Sequence, residues 1–165
     1  MQARMRQTYL FSVVVAVALV VVLGGTALAQ SRDPSVGTWK LNVAKSKYEP
    51  GPAPMSEMRV YEQWETDGIK GTFNLVQKDG TRVPLGFAAH YDGKDYKFMG
   101  SPDFDTVALK RVDANTTDAT LKKGGKVVQR TKVVVSNNGK VRTLTTTGTD
   151  AKGQKVNNVQ VYDKQ

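Results

Sequence analysis

The chain has 165 residues, a formal charge of +9 and no cysteine. The missing cysteine excludes disulfides, thiolate metal ligands, thiol nucleophiles and a lipid-modified N-terminal cysteine, so the core alone must hold the fold. The charge draws anionic surfaces or ligands. Its lysines (Lys45, Lys47, Lys70, Lys78 and others) are scattered rather than stacked on one helix, however, which reads as a solvated basic surface.

The first segment reads as a targeting leader. Arg4 and Arg6 precede an apolar run from Leu10 to Leu23, broken only by Ser12, and Ala27-Leu28-Ala29 fits a small-x-small cleavage site. The run is shorter than the roughly 20 residues of a spanning helix, which favours cleavage over an uncleaved anchor. Residues 1–29 are therefore expected to be a signal peptide cut after Ala29, leaving residues 30–165 as one domain with a charge of +7 and no membrane span. The protein is expected to be exported, periplasmic or secreted, and export argues against nucleic acid as a partner.

From there the chain reads as strands. Residues 36–42, with Gly37-Thr38-Trp39, follow a proline turn at Asp33-Pro34. Residues 43–56 hold Pro50, Pro52 and Pro54, which exclude both helix and ladder and predict an extended loop. Residues 57–66 alternate, with Met58, Val60 and Trp64 on one face and Glu57, Arg59, Gln63 and Glu65 on the other. The apolar face is assigned to the interior, although Tyr61 and Glu62 break the alternation. Residues 69–78 (Ile69, Phe73, Leu75) and 81–91 (Val83, Leu85, Phe87, Ala89, Tyr91) alternate in the same way. Asp-Gly pairs at 67, 79 and 92 punctuate these strands and are strong hairpin signals.

Further strands are expected over 95–99, 106–112, 116–122, 126–136, 140–147 and 154–163. The turns between the later ones carry Gly124-Gly125, Asn137-Asn138-Gly139 and Gly148 to Gly153. No stretch carries helical periodicity. The sequence thus predicts an all-β antiparallel meander of about eight to ten strands. A sheet of that size must close on itself or split into two, and meander connectivity favours an up-and-down barrel over a Greek-key sandwich.

Two motifs carry a resemblance. Val36-Gly37-Thr38-Trp39-Lys40-Leu41 is similar to the opening strand of fatty-acid-binding proteins, and Val159-Gln160-Val161-Tyr162-Asp163-Lys164 to their closing strand. The chain resembles the calycin group, which joins those proteins to the lipocalins, and in particular exported bacterial proteins of lipocalin-like type. The resemblance implies a barrel that carries a small apolar or amphipathic molecule inside. Gly37 and Trp39 would be structural marks of the first strand, and the two end strands would be neighbours. Two departures stand out. The segment 43–56 is too short and too rich in proline for the family's helical lid. The arginine that grips a carboxylate on the family's closing strand is replaced by Gln160, while Tyr162 keeps the tyrosine position.

The residues expected to contact a ligand are Trp64, Phe73, Phe87, Arg130, Gln160 and Tyr162. Arg130 and Arg142 are the cations on neighbouring strands able to replace the missing charge. On the closing strand, Asn158, Gln160 and Tyr162 share a face; the pattern alone would place it outward, and the resemblance places it inward. The single histidine, His90, sits in a strand with no motif around it and reads as a strand residue rather than a haem ligand. Asp103 and Asp105 read as a polar turn, and Thr143, Thr145 and Thr147 as an ordinary strand stripe. No cofactor, metal site or catalytic constellation is expected. The alternative to a carrier is an interaction module with a packed core that meets an anionic envelope surface or another protein.

Overall fold

The computed structural model describes residues 33–165. The leader and its cleavage residues Ala27 and Ala29 lie outside the described residues. Ten strands follow one another: β1 (Gly37–Leu41), β2 (Ser56–Trp64), β3 (Gly68–Val76), β4 (Arg82–His90), β5 (Tyr96–Met99), β6 (Thr106–Arg111), β7 (Thr116–Lys123), β8 (Lys126–Val135), β9 (Val141–Thr149) and β10 (Lys155–Lys164). Each pairs antiparallel with its neighbours in sequence, and β1 pairs with both β2 and β10, so the sheet closes as an up-and-down barrel. Closure leaves no unpaired sheet edge, the outcome the long meander requires.

β1 is the seam. Trp39 lies opposite Lys164 on β10 and opposite Arg59 on β2, while Leu41 lies opposite Tyr162. Trp39 is fully buried and its indole N–H donates to the Ser35 carbonyl at 2.8 Å. The segment before β1 is pinned by one carboxylate. Asp33 accepts hydrogen bonds from the Tyr91 hydroxyl at 2.6 Å, from the Arg111 guanidinium and from the Ser35 amide. Ser35 is itself buried, so this segment covers the end of the barrel at which β1 begins.

The loop after β1 is extended, as its prolines demand, apart from one turn of 3-10 helix at Val43–Lys45. Its first half runs along β10. Lys47 and Val159 exchange backbone hydrogen bonds at 2.7 and 2.8 Å, and the Glu49 carbonyl accepts from Asn157 at 2.7 Å. In effect β1 resumes as an extra length of ladder before Pro52–Pro54 cross the mouth.

Two turns differ from the sequence reading. The first Asp-Gly pair is not the turn itself: the positive φ falls at Glu65, and Gly68 already begins β3. A Cβ at Gly68 would sit 2.8 Å from the Trp64 carbonyl oxygen, so the pair marks a close approach of two backbones. β9 also continues past Thr147. Gly148 stays in the strand at φ +146, where a Cβ would meet the Val128 carbonyl oxygen at 2.1 Å. Gly148 therefore marks a tight crossing of β8 and β9 rather than a turn.

Candidate ligand cavity

The barrel encloses a cavity of about 660 Å³. Side chains of period two line it from every long strand. Its two sides differ. On β3 to β6 the lining is apolar, with Phe73, Leu85, Phe87, Phe98, Val107 and Leu109 prominent. Phe73, Phe87 and Phe98 form a cluster with ring centroids 5.7 to 6.2 Å apart, and Phe104 stands edge-on to Phe98 at 4.7 Å. On β8, β9, β10 and β2 the lining is largely polar: Gln129, Thr131, Arg142, Thr146, Asn158, Gln160, Glu57 and Arg59. The space thus has one apolar wall and one hydrogen-bonding wall.

β2 reverses the expected orientation. Glu57, Arg59 and Tyr61 face the cavity, while Met58 and Val60 are only half-buried on the other face. Two charges are tolerated inside because they satisfy each other. Arg59 Nε donates to Glu57 Oε1 at 2.8 Å, and the Tyr162 hydroxyl donates to Glu57 Oε2 at 2.6 Å. The Arg59 guanidinium also lies 4.7 Å from the Phe73 ring centre and 4.8 Å from that of Tyr162. Burial opposes the Arg59 charge, but the Glu57 carboxylate more than offsets it and holds the guanidinium protonated. Burial pushes the Tyr162 hydroxyl well above the usual tyrosine range; Arg59 opposes this and Glu57 adds to it, so the hydroxyl remains a donor. Beside this group the Gln160 amide donates to the Tyr48 hydroxyl at 3.1 Å, which ties the loop after β1 to β10.

The expected contact residues divide into three groups. Phe73, Phe87 and Gln160 line the cavity. Tyr162 is on the same face of β10 but fully buried, its hydroxyl turned to Glu57. Trp64 and Arg130 do not line the cavity. Trp64 packs 4.6 Å from the His90 ring and 6.2 Å from that of Tyr96, beside the β2–β3 turn. Arg130 is exposed on the outer face of β8, where its nearest partner is the Thr120 hydroxyl at 3.5 Å. The inward residues of β8 are Gln129, Thr131, Val133 and Val135, so the odd positions point in and Arg130 points out.

Sequence reasoning passed over the pair Glu57–Arg59 and did not choose Arg142. Arg142 is 5% exposed and lines the cavity, with its guanidinium 3.9 Å from the Tyr61 ring centre. Both omissions had a signal. Tyr61 broke the alternation of β2 because it belongs with Glu57 and Arg59, and Arg142 shares the parity of Leu144, the apolar residue of β9.

At the mouth, Pro52–Pro54, the turn Gln77–Asp79 and the loop Ser101–Phe104 line the opening. Asp103 and Asp105 have backbone partners there, the amides of Ala151 at 2.9 Å and Gly124 at 3.0 Å. They tie the loop to the two neighbouring turns. His90 has both ring nitrogens on oxygens, Asp67 carbonyl at 3.0 Å and Glu65 at 3.1 Å. Among the described residues no cluster of three or more His, Asp or Glu could hold a metal ion, and no helix is long and apolar enough to cross a membrane.

No family model and no curated protein matches the chain. Solved structures do. The fluorescent protein UnaG aligns with a TM-score of 0.53 at 15% identity, over 79% of this chain and 97% of that one. A point variant of UnaG aligns with the same score at 14% identity, over 80% and 96%. These likenesses show a shared fold, the closed antiparallel up-and-down barrel. Zebrafish ileal bile acid-binding protein, complexed with cholic acid, aligns at 0.49 and 15% identity, over 80% and 99%. Between β1 and β2 this barrel has the ladder extension at Lys47 and, at the mouth, Pro52–Pro54.

Proposed function

We infer that the protein is a carrier that holds one small amphipathic molecule inside the barrel. A cavity of about 660 Å³ is of the size that takes a small organic ligand. The division of its lining carries the reading: phenyl rings and aliphatic chains on β3 to β6, amides, hydroxyls and guanidinium groups on β8 to β10 and β2. A packed structural core, close-packed with few voids, would not leave an open space of this size inside the barrel. A molecule with an apolar body and a polar end fills both sides. The leader pattern supports a site of action outside the cytoplasm, with the chain starting at Gln30 after cleavage.

Native mass spectrometry of the mature protein, purified without detergent from an exporting host, tests the carrier reading. A retained small-molecule mass, or uptake of a fluorescent lipid analogue at one per chain, supports it. No retained mass together with no uptake overturns it. N-terminal sequencing of the exported protein should begin at Gln30; an intact leader would contradict the cleavage.

A further inference from the structure

We propose that the outer face of β7 to β9 is a docking surface for a linear acidic polysaccharide, a polymer that carries both carboxylates and hydroxyls. The surface lies on the outside of the barrel and is independent of the cavity and its ligand. Cations that are scattered along the sequence are gathered there by the order of the strands.

Charge is divided unevenly over the barrel. Strands β6 to β9 carry eight lysines and arginines and a single acid, Asp118. Three of the cations are engaged or hidden: Arg111 is bound to Asp33, Lys122 pairs with Asp95 at 2.8 Å, and Arg142 is buried. The other five, Lys110, Lys123, Lys126, Arg130 and Lys132, are exposed and take part in no ion pair among the described residues. Acids elsewhere are held in the turns and loops. Asp79, Asp103, Asp105, Asp113 and Asp150 each accept from backbone amides there, so they lie at the strand ends and leave the strand faces to the cations.

Register sets the cations among hydroxyls. Arg130 lies between Thr120 on β7 and Thr147 on β9, and Lys132 between Asp118 and Thr145. Lys110 on β6 meets Asp118 from the other side, so the one acid sits between two lysines and the row stays positive. Strand geometry puts Arg130 and Lys132 about 6.8 Å apart along β8, with their neighbours about 4.8 Å to either side. A threonine hydroxyl both donates and accepts, and a polymer bearing hydroxyls beside its acids answers both kinds of group. A polyphosphate answers the cations alone. A bilayer takes up apolar and aromatic side chains beside the cations. On this face the exposed apolar residues are Val127 and Val134, and β6 to β9 hold no aromatic residue. One exposed ion contact is worth little, but a chain that repeats its charge engages several at once.

Calorimetric titration of the mature protein with polygalacturonate at low ionic strength tests the surface. Arg130→Glu with Lys132→Glu should weaken binding about tenfold or more. Lys40→Glu with Arg82→Glu makes the same change of net charge on exposed residues of β1 and β4, and should weaken it less than about threefold. Equal losses in the two double variants would mean attraction to net charge alone and would overturn the surface. Thr145→Ala with Thr147→Ala should weaken polygalacturonate about threefold and leave polyphosphate unchanged. Equal effects on both polymers would overturn the choice of a polysaccharide. A further comparison uses the unmodified protein, so no variant need fold. Methyl-esterified polygalacturonate, which keeps its hydroxyls and loses its charge, should bind at least about tenfold more weakly than the acid. Equal binding of acid and ester, no binding of either, or binding of phosphatidylglycerol vesicles in place of the polymer overturns the proposal, and the carrier reading is untouched by any of these results.

Discussion

The Tyr162 hydroxyl donates to the Glu57 carboxylate at 2.6 Å, joining the last strand to the second one across β1. The bond sits at the seam where the barrel closes, and Arg59 completes it from the same strand as Glu57. The tyrosine that the sequence suggested for a ligand is thus engaged by the protein's own carboxylate. An internal anion stands where the resemblance would place an external one.

Breaking this group should be costly, and removing it whole much less so. Glu57→Ala leaves the Arg59 guanidinium uncompensated and should destabilise the protein by about 3–5 kcal/mol. Tyr162→Phe removes one hydrogen bond to a charged group and should cost about 1.5–3 kcal/mol. The double change Glu57→Leu with Arg59→Met should cost clearly less than the sum of the single changes at those two positions. Urea unfolding of the set gives the coupling energy. Additive losses would show that the ion pair is not a unit.

Vacating Glu57 should also expose a latent anion site. In Glu57→Gln the Arg59 charge lacks its carboxylate, and excess laurate can supply one. Laurate should then raise the melting temperature of the variant more than that of the unmodified protein. Equal shifts would mean that Glu57 does not occupy an anion's place.

Much of this architecture was legible. The Asp-Gly spacing announced an antiparallel meander, and the Gly37-Trp39 and Tyr162 motifs announced which strands close it. Strand faces were harder to read. On β8, valines occupy both faces (Val133 and Val135 in, Val134 out), so hydrophobicity could not tell Arg130 from an inward residue. On β2 the interior is the charged face because Glu57 and Arg59 neutralise each other across two residues, a compensation that alternation alone misreads. Met58 and Val60 then looked like core simply because they are apolar.

The covered end of the barrel should have an acid limit set by Asp33. Burial opposes its charge, but hydrogen bonds from Tyr91, Arg111 and the Ser35 amide outweigh burial and hold the carboxyl below its ordinary value. An acid lowered in the folded state contributes stability above its unfolded pKa of about 3.9, and that contribution is lost as pH falls through the lower folded value. Tyr91→Phe should therefore shift the acid-unfolding midpoint to higher pH, as followed by circular dichroism. An unchanged midpoint would remove Asp33 from the acid limit.

Gly148 should resist replacement although it lies in a strand. Gly148→Ala adds a Cβ that would meet the Val128 carbonyl oxygen and the Gln129 Cα, 2.7 Å away, at a φ that only glycine adopts freely. The expected loss is about 1–3 kcal/mol in a urea titration. A neutral result would mean that β8 and β9 can separate there.

Nuclear magnetic resonance of the mature barrel with N-phenyl-1-naphthylamine tests the carrier reading most directly. The reading predicts saturable binding at one molecule per chain, with intermolecular Overhauser contacts from the probe to the methyl groups of Leu121, Val133 and Leu144, which line the cavity. Contacts confined to the outward Val127 and Val134, or no binding at all, would contradict it.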